Sequence, residues 1–190
     1  MRTITYDELQ AILKQHKAWL ADKSKGKRAN LEGADLSEMN LAGANLKGAD
    51  LIFADLTGAN LTGADLTEAY LRDAKLQGAN LKGANLKGAN LVFANLISAD
   101  LMNAKLESAN LRFAYLKNVD LSHAHLTSAD IIGANLKGAN LTGADLKNVD
   151  LIYAILTGAN LTSANLTEAN LFSADLTGAN LENANFTEAD

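Results

Sequence analysis

The residues with the clearest potential for metal chemistry are His123 and His125, which lie on either side of Ala124. Alternate residues of an extended segment point to the same side, so both imidazoles face outward if Ala124 faces inward. Asp145 would supply a third ligand at best, whereas zinc sites in proteins use three or four. The chain also lacks cysteine, which excludes thiolate ligands. The sequence therefore predicts surface histidines, with no metal site and no cofactor.

Two pairs of carboxylates recur at an interval of twenty residues: Asp130 with Asp150, and Glu168 with Glu188. Paired carboxylates can act as general acid and base, and two close acids perturb each other's protonation. Catalysis also needs a pocket that holds a substrate. The chain has no phosphate loop, nucleophile elbow or zinc signature. We therefore expect solvated carboxylate ladders and a protein that is not an enzyme.

A five-residue repeat must position these side chains. From Ala29 onward the frame Ala, Asn or Asp, Leu and two variable residues continues without insertion, which gives 32 central positions from Leu31 to Phe186. The central residue is Leu at all of them except Ile131 and Phe186. A period of five fits neither an α-helix nor a flat strand, so the chain must turn once in each repeat.

Glycine marks the turn. All thirteen glycines after Gly26 lie two residues beyond a central residue, as Gly58 and Gly63 do. Glycine confined to one phase indicates a turn that prefers or tolerates a positive φ. With Leu and Ala pointing inward, four such sides close into a square coil of twenty residues.

Residues 59–67, Ala-Asn-Leu-Thr-Gly-Ala-Asp-Leu-Thr, resemble the pentapeptide-repeat proteins, and the resemblance covers residues 29–190. It implies an all-β solenoid, a right-handed quadrilateral β-helix of about eight coils with the central Leu and the preceding small residue stacked inside. At a strand spacing of roughly 4.8 Å the rod is about 38 Å long. Two parts are expected: an N-terminal capping helix and connector over residues 1–28, and the β-helix over residues 29–190.

A solenoid needs caps, because each coil buries its apolar residues only against its neighbours. Thr5 and Glu8 match a capping box, and Ile4 and Leu9 a hydrophobic staple. An apolar stripe from Leu9 through position 20 then predicts an α-helix that ends before Gly26. We expect this α-helical cap to cover the first coil; the alternative is a helix that binds a partner.

At the other end of the rod no cap is expected, since the repeat is still in register at Asp190. The family resemblance implies a C-terminal homodimer, because several members dimerise through that end. Phe186 in place of Leu would supply extra apolar area for this dimer contact. The alternative is a truncated or engineered chain.

The charge is unevenly distributed. Residues 1–30 hold seven basic and three acidic residues, whereas residues 31–190 hold ten and nineteen. An acidic rod argues against direct nucleic-acid binding, which needs clustered Lys and Arg. The chain also lacks a signal peptide and any apolar stretch long enough to span a bilayer. We expect a cytoplasmic protein without membrane contact.

One column of outward-facing residues, read at every twentieth position, differs from the other three. Three columns carry mostly Thr, Lys, Ser, Gly, Glu and Asn, whereas the fourth and its flank carry aromatic, aliphatic and Arg side chains. We call these residues the aromatic stripe: Phe53, Arg72, Val92, Phe93, Arg112, Phe113, Tyr115, Ile132, Ile152, Tyr153, Ile155 and Phe172. Exposed aromatics with Arg are the composition that binding hot spots favour. The stripe therefore predicts a partner-binding surface; the alternatives are lateral self-association and aromatic stacking that stiffens the rod.

These features predict a non-catalytic interaction or scaffold rod that binds a protein partner or a second copy. Some family members resemble B-form DNA and bind type II topoisomerases such as gyrase, which is an alternative function. Duplex DNA of about 38 Å carries roughly 22 charges, whereas this rod nets −9 and has no inserted loop of the kind that gyrase-protecting members carry. A further alternative is an engineered repeat with no function beyond folding.

Overall fold

The computed structural model describes residues 2–190, which form one short strand, one helix and a long solenoid. Strand β1 (Arg2–Thr3) is followed by helix α1 (Tyr6–Ala21) and strand β2 (Ala34–Asp35). Along the solenoid, isolated parallel β-bridges pair one residue of each repeat with the residue twenty positions later, from Asn30 with Asp50 to Asn165 with Asn185. The predicted coil of twenty residues is confirmed, and residues 31–190 make eight such coils.

Each side of a coil ends in a β-turn whose third residue has a positive φ. In one example the Ala64 N–H donates to the Leu61 carbonyl at 3.0 Å, and Gly63 between them has a φ of 62°. Thirteen glycines and nineteen other residues occupy this position in the 32 turns, all with positive φ. This is the geometry of a type II turn, in which glycine relieves a strain that other residues must bear.

The core is a continuous stack of Leu and Ala. Leu51 and Ala54 in the second coil and Leu156 in the seventh are fully buried, and the residues between them in the same two positions are no more than 1% exposed. Backbone hydrogen bonds join every coil to the next, as from the Leu61 N–H to the Asn80 carbonyl at 2.7 Å. Packing and the backbone ladder together stabilise a chain that has no disulfide.

The Asn or Asp before each central residue bonds to its own turn. At all 26 positions with Asn or Asp, the side-chain Oδ1 accepts from the backbone N–H two residues on, as Asn60 does from Thr62 at 3.1 Å. Some of these side chains also bond between coils, as Asn60 does to Asn40 at 3.2 Å. The Asn or Asp therefore has a structural role in each turn, in agreement with its regular recurrence along the sequence.

The N-terminal segment covers the first coil in two ways. Helix α1 has the predicted capping box, in which the Glu8 N–H donates to the Thr5 hydroxyl at 3.2 Å and the Thr5 N–H donates to the Glu8 carboxylate at 2.8 Å. Ile4 and Leu9, the predicted staple, are 2% and 1% exposed. Strand β1, which the sequence did not reveal, pairs in parallel with β2 and supplies a strand above the first coil.

The eighth coil has a more exposed end than the coils before it. Leu181 is 38% exposed, and Leu171, Leu176 and Phe186 are half-buried while still packed against the core. Phe186 therefore contributes to the core and also borders the end face of the last coil.

Candidate interaction surface

The aromatic stripe lies along one corner of the solenoid. The four aromatic residues Phe53, Phe93, Phe113 and Tyr153 occupy the third turn position of their coils, with φ between 57° and 59°. Glycine holds the same turn position at Gly133, in the coil between Phe113 and Tyr153. An aromatic side chain gains nothing from this backbone conformation, which favours glycine. Local conformation therefore does not explain why aromatics recur here.

Burial does not explain the aromatics either. Tyr153 and Phe172 are 60% and 62% exposed, Phe53 is 53% exposed, and even the less exposed Phe93 and Phe113 remain above 40%. The second turn positions beside them are better covered: Val92, Arg112, Ile132 and Ile152 are half-buried. The corner thus presents exposed aromatic rings beside partly covered aliphatic and Arg side chains.

Two pairs of rings contact each other along the corner. Phe93 and Phe113 stack with ring centroids 5.4 Å apart and planes inclined by 15°, and Tyr153 meets Phe172 edge-on at 6.2 Å. These are favoured aromatic geometries, each contributing about 0.5–1.5 kcal/mol beyond area burial. The pairs order the rings in place while leaving much of their surface accessible.

The two arginines of the stripe are each held by a neighbouring carboxylate. Arg112 bonds to Asp130 at 3.1 Å and its guanidinium lies 5.7 Å from the Phe113 ring, whereas Arg72 bonds to Asp73 at 3.1 Å. Both ion pairs are partly exposed, so their contribution to stability is small. The ion pair of Arg112 holds its guanidinium beside the Phe113 ring.

The flanks of the corner lack the turn acceptor found elsewhere. Six repeats have no Asn or Asp before the central residue, and four of these positions flank the corner that carries the stripe: Tyr70, Lys75, Tyr115 and Ile155. Tyr115 is 50% exposed, Tyr70 42% and Ile155 38%. At these positions a stabilising hydrogen bond has been replaced by an exposed side chain, which extends the stripe to both sides of the corner.

Tyr70 belongs to this surface although the stripe as derived from the sequence omitted it. The Arg28 guanidinium lies 5.2 Å from its ring and bonds to Asp50 at 3.3 Å. The signal in the sequence was the break in the Asn/Asp position, which Tyr70 shares with Tyr115.

A sequence model of pentapeptide repeats matches residues 27–190 in eight copies. The chain belongs to the pentapeptide-repeat family. Members of this family fold as right-handed β-helical solenoids, in agreement with the coils described above.

Solved pentapeptide-repeat structures resemble this chain to different extents. HetL from the cyanobacterium Nostoc sp. strain PCC 7120, described as involved in regulation of heterocyst differentiation, is 30% identical over 98% of this chain and 94% of its own length, with a TM-score of 0.60. Rfr23 from Cyanothece 51142 is 39% identical over 48% of this chain and 63% of its own length, with a TM-score of 0.48. QnrB1, a plasmid-mediated fluoroquinolone resistance protein, is 21% identical over 85% of this chain and 82% of its own length, with a TM-score of 0.48. Among curated protein sequences no significant match was found.

The residues considered for metal chemistry do not gather into a site in this pentapeptide-repeat rod. His125 pairs with Lys105 on one side and Asp145 on the other, so a cation separates it from further ligands. The His123 ring instead leans over Gly143. Within residues 2–190 no group of three or more His, Asp or Glu side chains is arranged to hold a metal ion.

The carboxylate pairs also lie on the surface of the rod. Asp130 and Asp150 are bridge partners in adjacent coils, and Asp130 is bonded to Arg112 and to the backbone of Ile132. These carboxylates therefore serve the turns and one ion pair. Separately, no helix in the described part of the chain is long and apolar enough to cross a membrane.

Proposed function

We propose that this pentapeptide-repeat protein is a non-catalytic interaction rod that binds a protein partner, or a second copy of itself, through the aromatic stripe. The observation that carries this proposal is the concentration of exposed aromatic rings on one corner of an otherwise uniform polar solenoid. Contiguous apolar patches on the surface of folded proteins mark binding sites, whereas single exposed apolar residues are ordinary.

Stiffening of the rod is a weaker explanation of the stripe. Only Phe93 with Phe113 and Tyr153 with Phe172 contact each other among the rings of the corner, and Phe53 joins neither pair. The rings that do stack still expose more than 40% of their surface. Binding would bury this area, and each Å² of apolar surface removed from water stabilises the complex by about 25 cal/mol.

HetL offers a functional precedent of the same kind. It is described as involved in regulation of heterocyst differentiation, and a role of this kind is compatible with a rod that acts by contacting another protein. Similarity over 98% of this chain supports proposing an interaction role for it as well.

Light scattering and chemical crosslinking of a variant with two introduced charges test the proposal. Phe93→Glu with Phe113→Glu places two carboxylates in the stripe and should abolish association of the purified protein, or capture of its partner, while far-UV circular dichroism is unchanged. Ser108→Glu with Ser128→Glu is the matched control, because these exposed residues occupy the same turn position in successive coils of another corner, with φ of 55° and 58°. If both double variants behave like the wild type, the stripe is not the interface.

The end of the eighth coil is a second candidate surface for a homodimer, favoured by the 38% exposure of Leu181 and by the half-buried Phe186 beside it. Leu181→Glu in the same light-scattering experiment separates the two surfaces. Loss of association in this variant alone would place the dimer contact at the end of the rod.

Mimicry of DNA is not supported by the distribution of charge. Asp50, Asp55, Asp100, Asp130 and Glu168 each lie within 3.3 Å of a Lys or Arg side chain, so part of the rod's acidity is paired locally. We expect micromolar protein to leave DNA supercoiling by purified gyrase unchanged. Inhibition or protection of gyrase would revive this alternative.

A further inference from the structure

His16 is a fully buried residue at the contact between helix α1 and the solenoid. Its Nδ1 accepts a hydrogen bond from the backbone N–H of Ala29 at 3.0 Å. Ala29 is the first residue of the repeat frame, so this bond ties the helix to the start of the first coil. Because Nδ1 accepts, it carries no proton, and the imidazole is neutral with its proton on Nε2.

The second nitrogen of His16 faces the upper edge of the first coil. Nε2 is buried without a hydrogen-bond partner of good geometry. The backbone carbonyl of Lys47, in the first coil, is the polar group that raises the pKa of the ring. One coil further on, the equivalent carbonyl of Thr67 accepts from the Gly48 N–H at 2.8 Å. The imidazole therefore occupies the place that a preceding coil would fill.

The surroundings of His16 disfavour its protonated form. Burial lowers the pKa of His16, and two nearby cations on the connector after α1, Lys23 and Arg28, lower it further; the backbone of Lys47 in the first coil opposes them. The His16 ring also stacks on Trp19 at 5.5 Å, and the Lys23 ammonium lies 3.0 Å from the centre of the indole ring. Asp50 faces Arg28 rather than His16.

We propose that His16 is a pH-sensitive latch that holds the α1 cap on the first coil and releases it when the imidazole is protonated. A second proton on Nδ1 would point at the Ala29 N–H, so two donors would face each other. The charged ring would also remain buried among cations, which is costly. Release exposes the apolar side of α1 and the end of the first coil, including Leu9 and Leu41, which are 1% and 2% exposed under the cap.

The direction of the pH effect follows from the lowered pKa of His16. In the released state His16 binds a proton near its ordinary pKa of about 6.5, whereas in the latched state it does so only at lower pH. The latch is therefore intact above about pH 6.5 and weakens as pH falls towards the folded-state pKa. Each unit of pH within this interval favours release about tenfold.

Trp19, the single tryptophan of the chain, provides the readout. We expect a red shift of its emission and a rise in hydrogen exchange of the α1 amides, about tenfold per pH unit after correction for intrinsic rates, as pH falls below about 6.5. His16→Asn should remove this transition, because the amide oxygen can accept from Ala29 but cannot titrate. His123→Asn, at an exposed histidine far along the rod, should retain it.

The same transition in His16→Asn, or its absence from the wild type, would overturn the latch. If His16→Asn does not fold, an NMR titration of the His16 ring in the wild type decides the matter. A ring midpoint that coincides with the exchange transition of α1 supports the proposal, and two separate midpoints contradict it.

Discussion

The ring of Phe113 lies over Gly133, the equivalent turn residue one coil further along the rod. A Cβ built on Gly133 would be 2.6 Å from two carbons of this ring. Asn118 leans over Gly138 and His123 over Gly143 in the same manner. Side chains at the third turn position thus incline towards the next coil, and a glycine there leaves room for them.

Gly133→Ala should displace the Phe113 ring and weaken its stack with Phe93. Two costs arise: a non-glycine residue at a φ of 65°, roughly 1 kcal/mol, and the clash with the ring. Gly83→Ala is the matched control, because its φ is 61° and nothing lies within 4 Å of the added Cβ. Urea unfolding should show a larger loss for Gly133→Ala, and association should fall only in that variant. Equal losses of stability in the two variants would mean that the Phe113 ring moves aside without cost.

Ile155→Asn should make the rod more stable and its interface weaker. The Asn Oδ1 would accept from the Thr157 N–H, as Asn and Asp do in 26 other repeats, for a gain of about 1 kcal/mol. The change also removes an exposed apolar residue from the stripe, so association should decrease. Denaturant midpoints and light scattering measure the two effects on the same sample.

The opposite substitution, Asn to Ile at a repeat outside the stripe, is the control for this prediction. Asn160→Ile removes the acceptor for the Thr162 N–H on a side of the rod away from the stripe, and it breaks the bond from Asn160 to the Thr142 hydroxyl at 3.0 Å. We expect a loss of about 1–3 kcal/mol with no gain in association. Increased stability of Asn160→Ile would contradict the role assigned to this ladder.

The solenoid was predictable because a strict period leaves a single arrangement of its apolar residues. The inward Leu and Ala, the turn glycines and the capping box around Thr5 and Glu8 are all local or periodic signals. Strand β1 was not predictable, since two residues such as Arg2 and Thr3 carry no pattern. Their pairing with β2 arises only because the first coil offers an open edge.

The candidate site was predictable only in part. Its column followed from the period of twenty, whereas the inclination of Phe113 over Gly133 depends on a rotamer that the sequence does not encode. The buried position of His16 was hidden for another reason: as one member of an apolar stripe it could have been a half-exposed residue. Its contact with Ala29 requires the return of the chain through the connector, a tertiary feature.

The capping box of α1 should make the cap sensitive to acid independently of His16. Hydrogen bonds from Thr5 lower the pKa of Glu8, so this contribution to cap stability is present above the ordinary pKa of about 4.5 and is lost as pH falls below it. Thr5→Ala should raise hydrogen exchange in the first turn of α1 at neutral pH and flatten its dependence on pH below about 5. Exchange in the coils beyond the first should not change, because a repeat array transmits stability mainly to neighbours.

Leu106→Ala should divide the rod into two units that unfold separately. Leu106 is fully buried in the fourth coil, so its truncation leaves a cavity and costs about 2–5 kcal/mol. In a stacked array this cost falls on the contacts between adjacent coils, where the two halves of the rod meet. Leu181→Ala is the comparison, since a residue already 38% exposed loses less on truncation. Circular dichroism follows the whole rod and Trp19 fluorescence only its N-terminal part, so the two urea transitions should separate in Leu106→Ala and coincide in Leu181→Ala. Coincident transitions in both variants would show that the eight coils unfold as a single cooperative unit.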